Sequence, residues 1–274
     1  MDINSIRVLI KGGGDLASGV AYRLYMSGFP LLIVEKEKPL AVRRKVAYAS
    51  AIYEEEVEIE GITAKYVSDL KQVRKLQLDD QIPVTTLDDY KKFSHRYEND
   101  IFIDGRMLKE RPDDIRNDLA SLVIGLGPGF TAGENVDVAI ETCRGHFLGR
   151  AIYDGSTQPY SGKPGKIEGV REKRVIHSPT SGKFVSDQEI GNMVNCGEKI
   201  GRVGEITLET EVKGVIRGMI KPGISVKQGT KLADIDPRGQ KSYVNYISDK
   251  ALAVGGGVLE AVFNKFSGRF QNED

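Results

Sequence analysis

Arg7-Val8-Leu9-Ile10-Lys11-Gly12-Gly13-Gly14-Asp15-Leu16-Ala17-Ser18-Gly19 is the stretch on which the reading of the chain turns. The first five residues form a short apolar run of strand type. Beyond the glycines, Val20, Ala21, Leu24 and Tyr25 recur at helical spacing and stop at Gly28. Strand, glycine loop and helix are the context in which Gly-x-Gly-x-x-Gly/Ala has meaning, and Gly12, Gly14 and Ala17 fit it. Gly12 permits a sharp turn. Gly14, with Gly13 beside it, lets backbone approach a phosphate with no Cβ in the way, and Ala17 keeps the helix close to the strand. The helix N-terminus then offers N–H groups to an anion. Leu31-Leu32-Ile33-Val34 follows as a second strand and ends in Glu35, where dinucleotide folds place the acceptor for a ribose hydroxyl. Asp15 repels an anion unless it turns away, so a tight turn with Asp15 as N-cap is the competing reading.

Bulk properties bound what lies around this motif. A chain of 274 residues suits two domains. Lys plus Arg equals Asp plus Glu at 39 each, and this zero balance argues against nucleic-acid or membrane-surface partners, which call for a basic field. The polar start lacks a signal region, and no apolar run approaches spanning length. Cys143 and Cys196 lie far apart without metal-like spacing. A reducing cytoplasm is the simple expectation. A homo-oligomer is left open.

Working outward, Pro39 suits the first turn of a helix and is followed by Leu40-Ala41-Val42-Arg43-Arg44-Lys45-Val46-Ala47-Tyr48-Ala49. Arg43 and Arg44 follow the Glu35 strand end closely and could clamp a ligand phosphate or carboxylate, or form a solvated basic face. Val57, Ile59, Ile62, Ala64 and Tyr66 alternate as a hairpin turning at Gly61. Ser68 is a candidate cap for a helix over Leu70, Val73 and Leu76. Residues 82–86 and 101–103 read as strands, Asp104-Gly105 as a turn, and Arg111-Pro112-Asp113-Asp114 as a helix start.

A further apolar strand, Leu122-Val123-Ile124, again runs into a glycine-rich loop, Gly125-Leu126-Gly127-Pro128-Gly129-Phe130-Thr131-Ala132-Gly133. In one parallel sheet the two glycine-rich strand ends would face each other across a crevice, with Gly127, Gly129 and Thr131 opposite Gly12 to Asp15. Val136, Val138 and Ile140 alternate toward Glu141-Thr142-Cys143-Arg144-Gly145-His146. Arg144 is a candidate anion clamp and His146 a candidate proton-transfer group, although a single His is more often an ordinary polar residue. Cys143 could act as a chalcogen nucleophile; with no partner visible, a small buried side chain is the competing role.

Residues 161–166 have linker composition, and the texture beyond them changes to short strands and glycines. An internal repeat explains it. An offset of thirty-two carries Phe184 onto Ile216, Val194 onto Val226, Ile200 onto Leu232 and Val203 onto Ile235. This resembles the half-motif of biotinyl/lipoyl-type barrel-sandwich domains, with apolar residues for two facing sheets and glycines for turns. Such domains carry biotin or lipoate on a lysine between the copies. Here that hairpin, residues 204–209, has no lysine, and Asp249-Lys250-Ala251 lies after the second copy, so neither biotin nor lipoate is expected. Residues 251–266 suggest a closing helix weakened by Gly255-Gly256-Gly257. The expectation is a Rossmann-like α/β domain over 1–162 and a β-rich barrel-sandwich domain with its closing helix over 163–274.

The glycine loop, Pro39-Leu40-Ala41-Val42-Arg43-Arg44, the 125–133 loop, Arg144-Gly145-His146 and Asp234-Ile235-Asp236-Pro237-Arg238 together resemble the YqeB family, accessory proteins of selenium-dependent molybdenum hydroxylases. The resemblance spans nearly the whole chain. It implies a cytoplasmic bacterial protein that acts in maturing xanthine- or purine-hydroxylase-type enzymes, which need a molybdopterin cofactor and labile selenium. It implies no catalytic residue. Three readings stand: a maturation factor holding a molybdopterin-type or other phosphate-bearing ligand, with Arg43, Arg44 and Arg144 as charge partners; an NAD(P)-linked oxidoreductase with Glu35 on the ribose and His146 as acid/base; and a non-catalytic docking scaffold.

Overall fold

The structure is a computed structural model that describes residues 2–108, 110–160, 162 and 165–267; Ser161, Lys163 and Pro164 of the expected linker lie outside them. The protein is mixed α/β. It divides into two compact units, one of Met1–Pro39, Tyr48–Tyr160 and Ile247–Asp274, the other of Leu40–Ala47 and Ser161–Tyr246. This differs from a single cut at 162/163 in two segments. The closing helix groups with the first unit, and Leu40–Ala47 with the second.

The first unit is built on strands β1 (Val8–Lys11), β2 (Leu31–Glu35), β3 (Glu56–Ile59), β4 (Ile62–Tyr66), β5 (Ile82–Thr86), β6 (Ile101–Asp104), β7 (Leu122–Leu126), β8 (Thr131–Ala132), β9 (Val138–Ile140), β10 (Ala151–Ile152) and β11 (Gly155–Ser156). Its helices are α1 (Asp15–Met26), α2 (Ala51–Glu54), α3 (Leu70–Leu78), α4 (Leu87–Phe93) and α5 (Asp249–Phe266). Nine strands form one sheet in the order β10-β9-β7-β6-β1-β2-β5-β4-β3. The inner seven are parallel, with an antiparallel strand at each edge. Parallel strands buried on both faces need apolar residues at every position, which is why β1, β2 and β7 read as continuous apolar runs rather than alternating ones. Leu9, Leu32, Val34, Phe102 and Val123 on one face pack with Leu70 and Val73 of α3 and Phe93 of α4. Alternate residues turn to the other face, where Ala17 of α1 packs on Gly105 and Gly257 of α5 on Ile140.

Several local readings shift. The hairpin β3–β4 turns at Glu60 and Gly61, both at positive φ, in the register Ile59 to Ile62. The cap of α3 is Asp69, whose carboxylate accepts from the Gln72 amide, one residue beyond Ser68. No helix begins at Pro39 or at Arg111; the first regular turn after Pro39 is a 3-10 turn at Arg44–Val46. Gly255 to Gly257 do not break α5, which is continuous from a Ser248 cap. Gly255 and Gly257 are buried because α1 and the Gly149 backbone approach there too closely for a Cβ.

The second unit holds β12 (Val175–His177), β13 (Gly182–Val185), β14 (Met193–Val194), β15 (Lys199–Val203), β16 (Ile206–Glu209), β17 (Gly214–Met219), β18 (Ser225–Val226) and β19 (Lys231–Asp236). They form two four-stranded sheets, β12-β19-β17-β14 and β16-β15-β13-β18. The thirty-two-residue offset turns each strand of the first copy into its counterpart in the second, β12 into β16 through β15 into β19. Applied to the first sheet, it generates the second. Each sheet therefore takes two strands from each copy, and one copy alone cannot complete either. Phe184, Ile200, Val203 and Leu208 from one sheet and Ile176, Val215, Ile216, Leu232 and Ile235 from the other share a buried cluster. Among the described residues no helix of the chain is long and apolar enough to cross a membrane.

Candidate functional site

The glycine loop sits where the sheet order reverses. β1 lies between β2, which follows it in sequence, and β6. Such a switch leaves a crevice outside the carboxyl ends of the strands. Gly12 holds φ +100, and a Cβ there would come within 3.0 Å of the Arg106 amide nitrogen and the Gly105 carbonyl carbon, so glycine is required twice over. The Gly13 amide donates to Glu35 Oε2 at 3.0 Å, and the Gly13 carbonyl accepts from the Ala49 amide at 2.9 Å. Gly14 is the N-cap of α1 and Asp15 its first helical residue, so Asp15 does not cap the helix; its carboxylate lies in the first turn, where the helix dipole favours it. A Cβ on Gly14 would meet nothing within 4 Å. The backbone there is open, and helical carbonyls cannot serve the first-turn amides.

Glu35 comes to this loop, as its position predicts, but in another capacity. Its second oxygen, Oε1, accepts from the Lys36 amide at 2.8 Å. Both oxygens therefore hold backbone, and Glu35 braces the glycine turn.

A charged group that the sequence reading missed closes the β1 and β6 ends. Asp104, fully buried, receives Arg106 through Nη2 at 2.6 Å and Nε at 3.1 Å. Arg106 also donates to Asp114 at 2.7 Å, and Lys11 pairs with Asp114. Burial opposes charge on Arg106, but hydrogen bonds from its guanidinium to Asp104 and Asp114 outweigh this and raise its pKa. Burial likewise pushes Asp114 up, and the Arg106 and Lys11 contacts overcome it, leaving a pKa of about 2. The available signal was an acid ending the apolar run Ile101-Phe102-Ile103 with an arginine two residues on.

The second glycine loop leaves the same carboxyl edge of the sheet as the first, one strand away, because β6 is seated between β1 and β7. Its glycines serve close packing. A Cβ on Gly125 would enter the Phe130 ring at 2.1 Å; on Gly127, at φ +81, it would come within 2.5 Å of Thr142 Oγ1; on Gly129, at φ +94, within 2.5 Å of the Glu110 carbonyl oxygen. Thr131 is tied down as well. Its amide donates to Asn135 Oδ1 at 2.9 Å, and its hydroxyl lies 2.8 Å from that of Ser156.

Beyond β9 the chain returns toward α5. Glu141, 2% exposed, accepts from the Cys143 amide at 2.6 Å and the Gln158 amide at 2.7 Å, which fixes the 141–146 turn. Arg144 makes a two-pronged bridge to Asp249, the first residue of α5, at 2.8 and 2.9 Å. Cys143 is a free, half-buried thiol at the edge of this turn rather than a core residue. His146 is exposed, with its ring edge-on to Phe147, and Glu141 is already occupied by amides. Lys250 joins the group. Burial pushes its amine below the usual lysine range and the Arg144 charge adds to this, while Asp15, Cys143 and Glu141 act in the opposite sense.

The structure thus gathers Gly12, Gly13, Gly14, Asp15 and Glu35 at one strand end and Arg144 near it by way of α5. It leaves Gly127, Gly129 and Thr131 in a packed loop and His146 at the surface. Arg43 and Arg44 belong to the other unit. Arg43, 5% exposed, donates to the carbonyls of Tyr243 at 3.0 Å and Tyr246 at 2.9 Å, and Arg44 to that of Met219 at 2.8 Å. These guanidiniums fasten Leu40–Ala47 to their own unit, a need that two adjacent arginines do not announce in sequence.

No protein-family model matches the chain. Among curated proteins, the uncharacterized protein YqeB of Escherichia coli (strain K12) is 40% identical over 261 residues, taking in 93% of this chain and 47% of YqeB. The chain spans about half the length of that relative, and the similarity supports the YqeB family. A succinylglutamate desuccinylase/aspartoacylase from Rhodobacter sphaeroides matches 23% of this chain and 22% of its own at 24% identity and TM-score 0.20. The product-bound ectoine utilization protein EutE (DoeB) from Ruegeria pomeroyi matches 83% and 56% at 11% identity and TM-score 0.22. At these scores neither likeness carries an argument.

Proposed function

We propose, from a chain whose similarity supports the YqeB family, that this protein is an accessory factor in the maturation of a selenium-dependent molybdenum hydroxylase. In this reading it holds a phosphate-bearing ligand, of molybdopterin or nucleotide type, at the carboxyl end of β1. The observation that carries the binding half of the reading is the open backbone at Gly14, where the glycine turn passes into α1 at the point of strand-order reversal. A phosphate fits that cradle: the Cβ it displaces is absent, and the first turn of α1 supplies amides. The pterin or nucleotide, when bound, would bring its own chemistry; the chain's part is to hold the phosphate end and orient the remainder. We read the first unit as Rossmann-like, on its seven parallel strands, and the second as a barrel-sandwich domain, on the exchange of strands between its two repeats. No observation favours the oxidoreductase reading. Glu35 is committed to backbone amides, and His146 is exposed with no acid bonded to it among the described residues. The test is hydroxylase activity in a cell lacking this protein, with the hydroxylase quantified separately. Hydroxylase present but inactive is expected; full activity per mole of hydroxylase would end the maturation reading.

A further inference from the structure

Helices α1 and α5 lie side by side and run in the same direction. A Cβ on Gly19 of α1 would lie 2.6 Å from that of Ala251, and a Cβ on Gly255 2.8 Å from the Gly19 carbonyl oxygen; Phe29, just past α1, meets Phe263 edge-on at 6.2 Å between centroids. Early residues face early residues and late face late. The first turns of both helices therefore end together, beside the glycine loop. The first turn of α5 carries Asp249 and Lys250. Arg144 is spoken for by Asp249, whereas among the described residues Lys250 has neither a hydrogen bond nor an ion pair, and it is half-buried. Its electrostatic neighbours are Arg144, Asp15, Cys143 and Glu141.

We propose that Lys250 is the cation that meets the phosphate-bearing ligand at the Gly12–Asp15 loop, in the place that the sequence reading gave to Arg43 and Arg44. This rests on the reading that an anion binds at that loop. It also removes the difficulty raised by Asp15. A carboxylate in the first turn of α1 repels an incoming phosphate, and an ammonium from the adjoining first turn of α5 offsets that charge. Arg144, held on Asp249, adds to the positive field without giving up its own partner. A partly desolvated ammonium close to a phosphate makes a stronger, charge-assisted contact than an exposed one.

The experiment is calorimetric titration of the full chain with inorganic pyrophosphate, comparing wild type with Lys250→Gln, Lys250→Arg, Gly14→Val and Arg43→Gln, each checked to be folded at the titration temperature by a cooperative thermal transition above it. Pyrophosphate binding is expected to weaken by about tenfold or more in Lys250→Gln, to return to within about threefold of wild type in Lys250→Arg, and to stay unchanged in Arg43→Gln. Wild-type affinity in Lys250→Gln, together with loss in Gly14→Val, would overturn the role of Lys250 and leave the loop reading standing. No binding by wild type would remove both.

Discussion

Gly14 and Gly125 show how differently two glycines in similar settings can be used. Gly14 has φ −74, which any residue adopts, and empty space where its side chain would be. Gly14→Val should therefore leave the melting temperature close to wild type while lowering pyrophosphate affinity by about tenfold or more, read by calorimetry. At Gly125 the Phe130 ring occupies the place of the Cβ, so Gly125→Ala should cost about 1–3 kcal/mol in urea unfolding through overpacking. Asp114 gives a pH-dependent prediction. Its folded pKa is depressed from 3.8 to about 2 by Arg106 and Lys11 working against burial. The stability it contributes is therefore present above 3.8 and fades as pH falls through about 2. In Asp114→Asn that part is absent throughout, so the gap between wild type and variant in urea midpoints should close as pH falls through this window. Because half of the Asp114 side chain is exposed, solvent screening keeps the effect small.

At the scale of elements, α5 makes the sharpest test, because its three consecutive glycines have opposite reasons for being there. Gly256 is exposed with nothing within 4 Å of a Cβ, so Gly256→Ala should stabilise the protein by up to about 1 kcal/mol through helix propensity alone. One residue on, a Cβ would sit 2.0 Å from the Gly149 carbonyl oxygen, and Gly257→Ala should destabilise by about 1–3 kcal/mol. Thermal denaturation of the two single variants reads both signs. The same helix marks what sequence can and cannot supply. The unit from β1 through the glycine turn into α1 was legible because every determinant is local: an apolar run, a turn that needs glycine, a helical period. The cost of three glycines in α5 was legible too, but their function was not, since it depends on α1 and on Gly149, far away in sequence. Likewise β6 between β1 and β7 is a matter of strand order, which no local pattern encodes, and it sets the two glycine loops one strand apart. Glu35 was found by its place at a strand end; that both its oxygens hold amides follows only from how the turn folds back on it.

On the scale of the molecule, the repeat in the second unit was readable as an offset of thirty-two, because equivalent strands keep equivalent apolar positions. That the two copies trade strands between sheets was not, since each strand looks the same whichever sheet it joins. Leu40–Ala47 is the other part that sequence concealed. It reads as a helix start with two arginines close to the β2 end, yet Val42 lies over Gly218 and Arg44 bonds the Met219 carbonyl. A chain ending at Tyr246 should keep slow hydrogen exchange in β13, β15, β17 and β19 and lose it in α1, β7 and β9, because the latter pack on α5 and its buried face of Val254, Val258, Ala261 and Val262. Loss of protection in both groups would mean that the second unit does not fold without α5. The interleaving of segments has a consequence for the order of synthesis. Chains emerge N-terminus first, and domains commonly fold as they emerge. Here the central strands of the first unit leave the ribosome well over a hundred residues before α5 does, and Leu40–Ala47 precedes every strand of the unit it joins. Neither unit can close on a contiguous stretch of nascent chain. The apolar faces of β7 and β9, and the side of α1 that packs on α5, must wait, uncovered, for a helix not yet made, and over that interval a chaperone has a surface to hold.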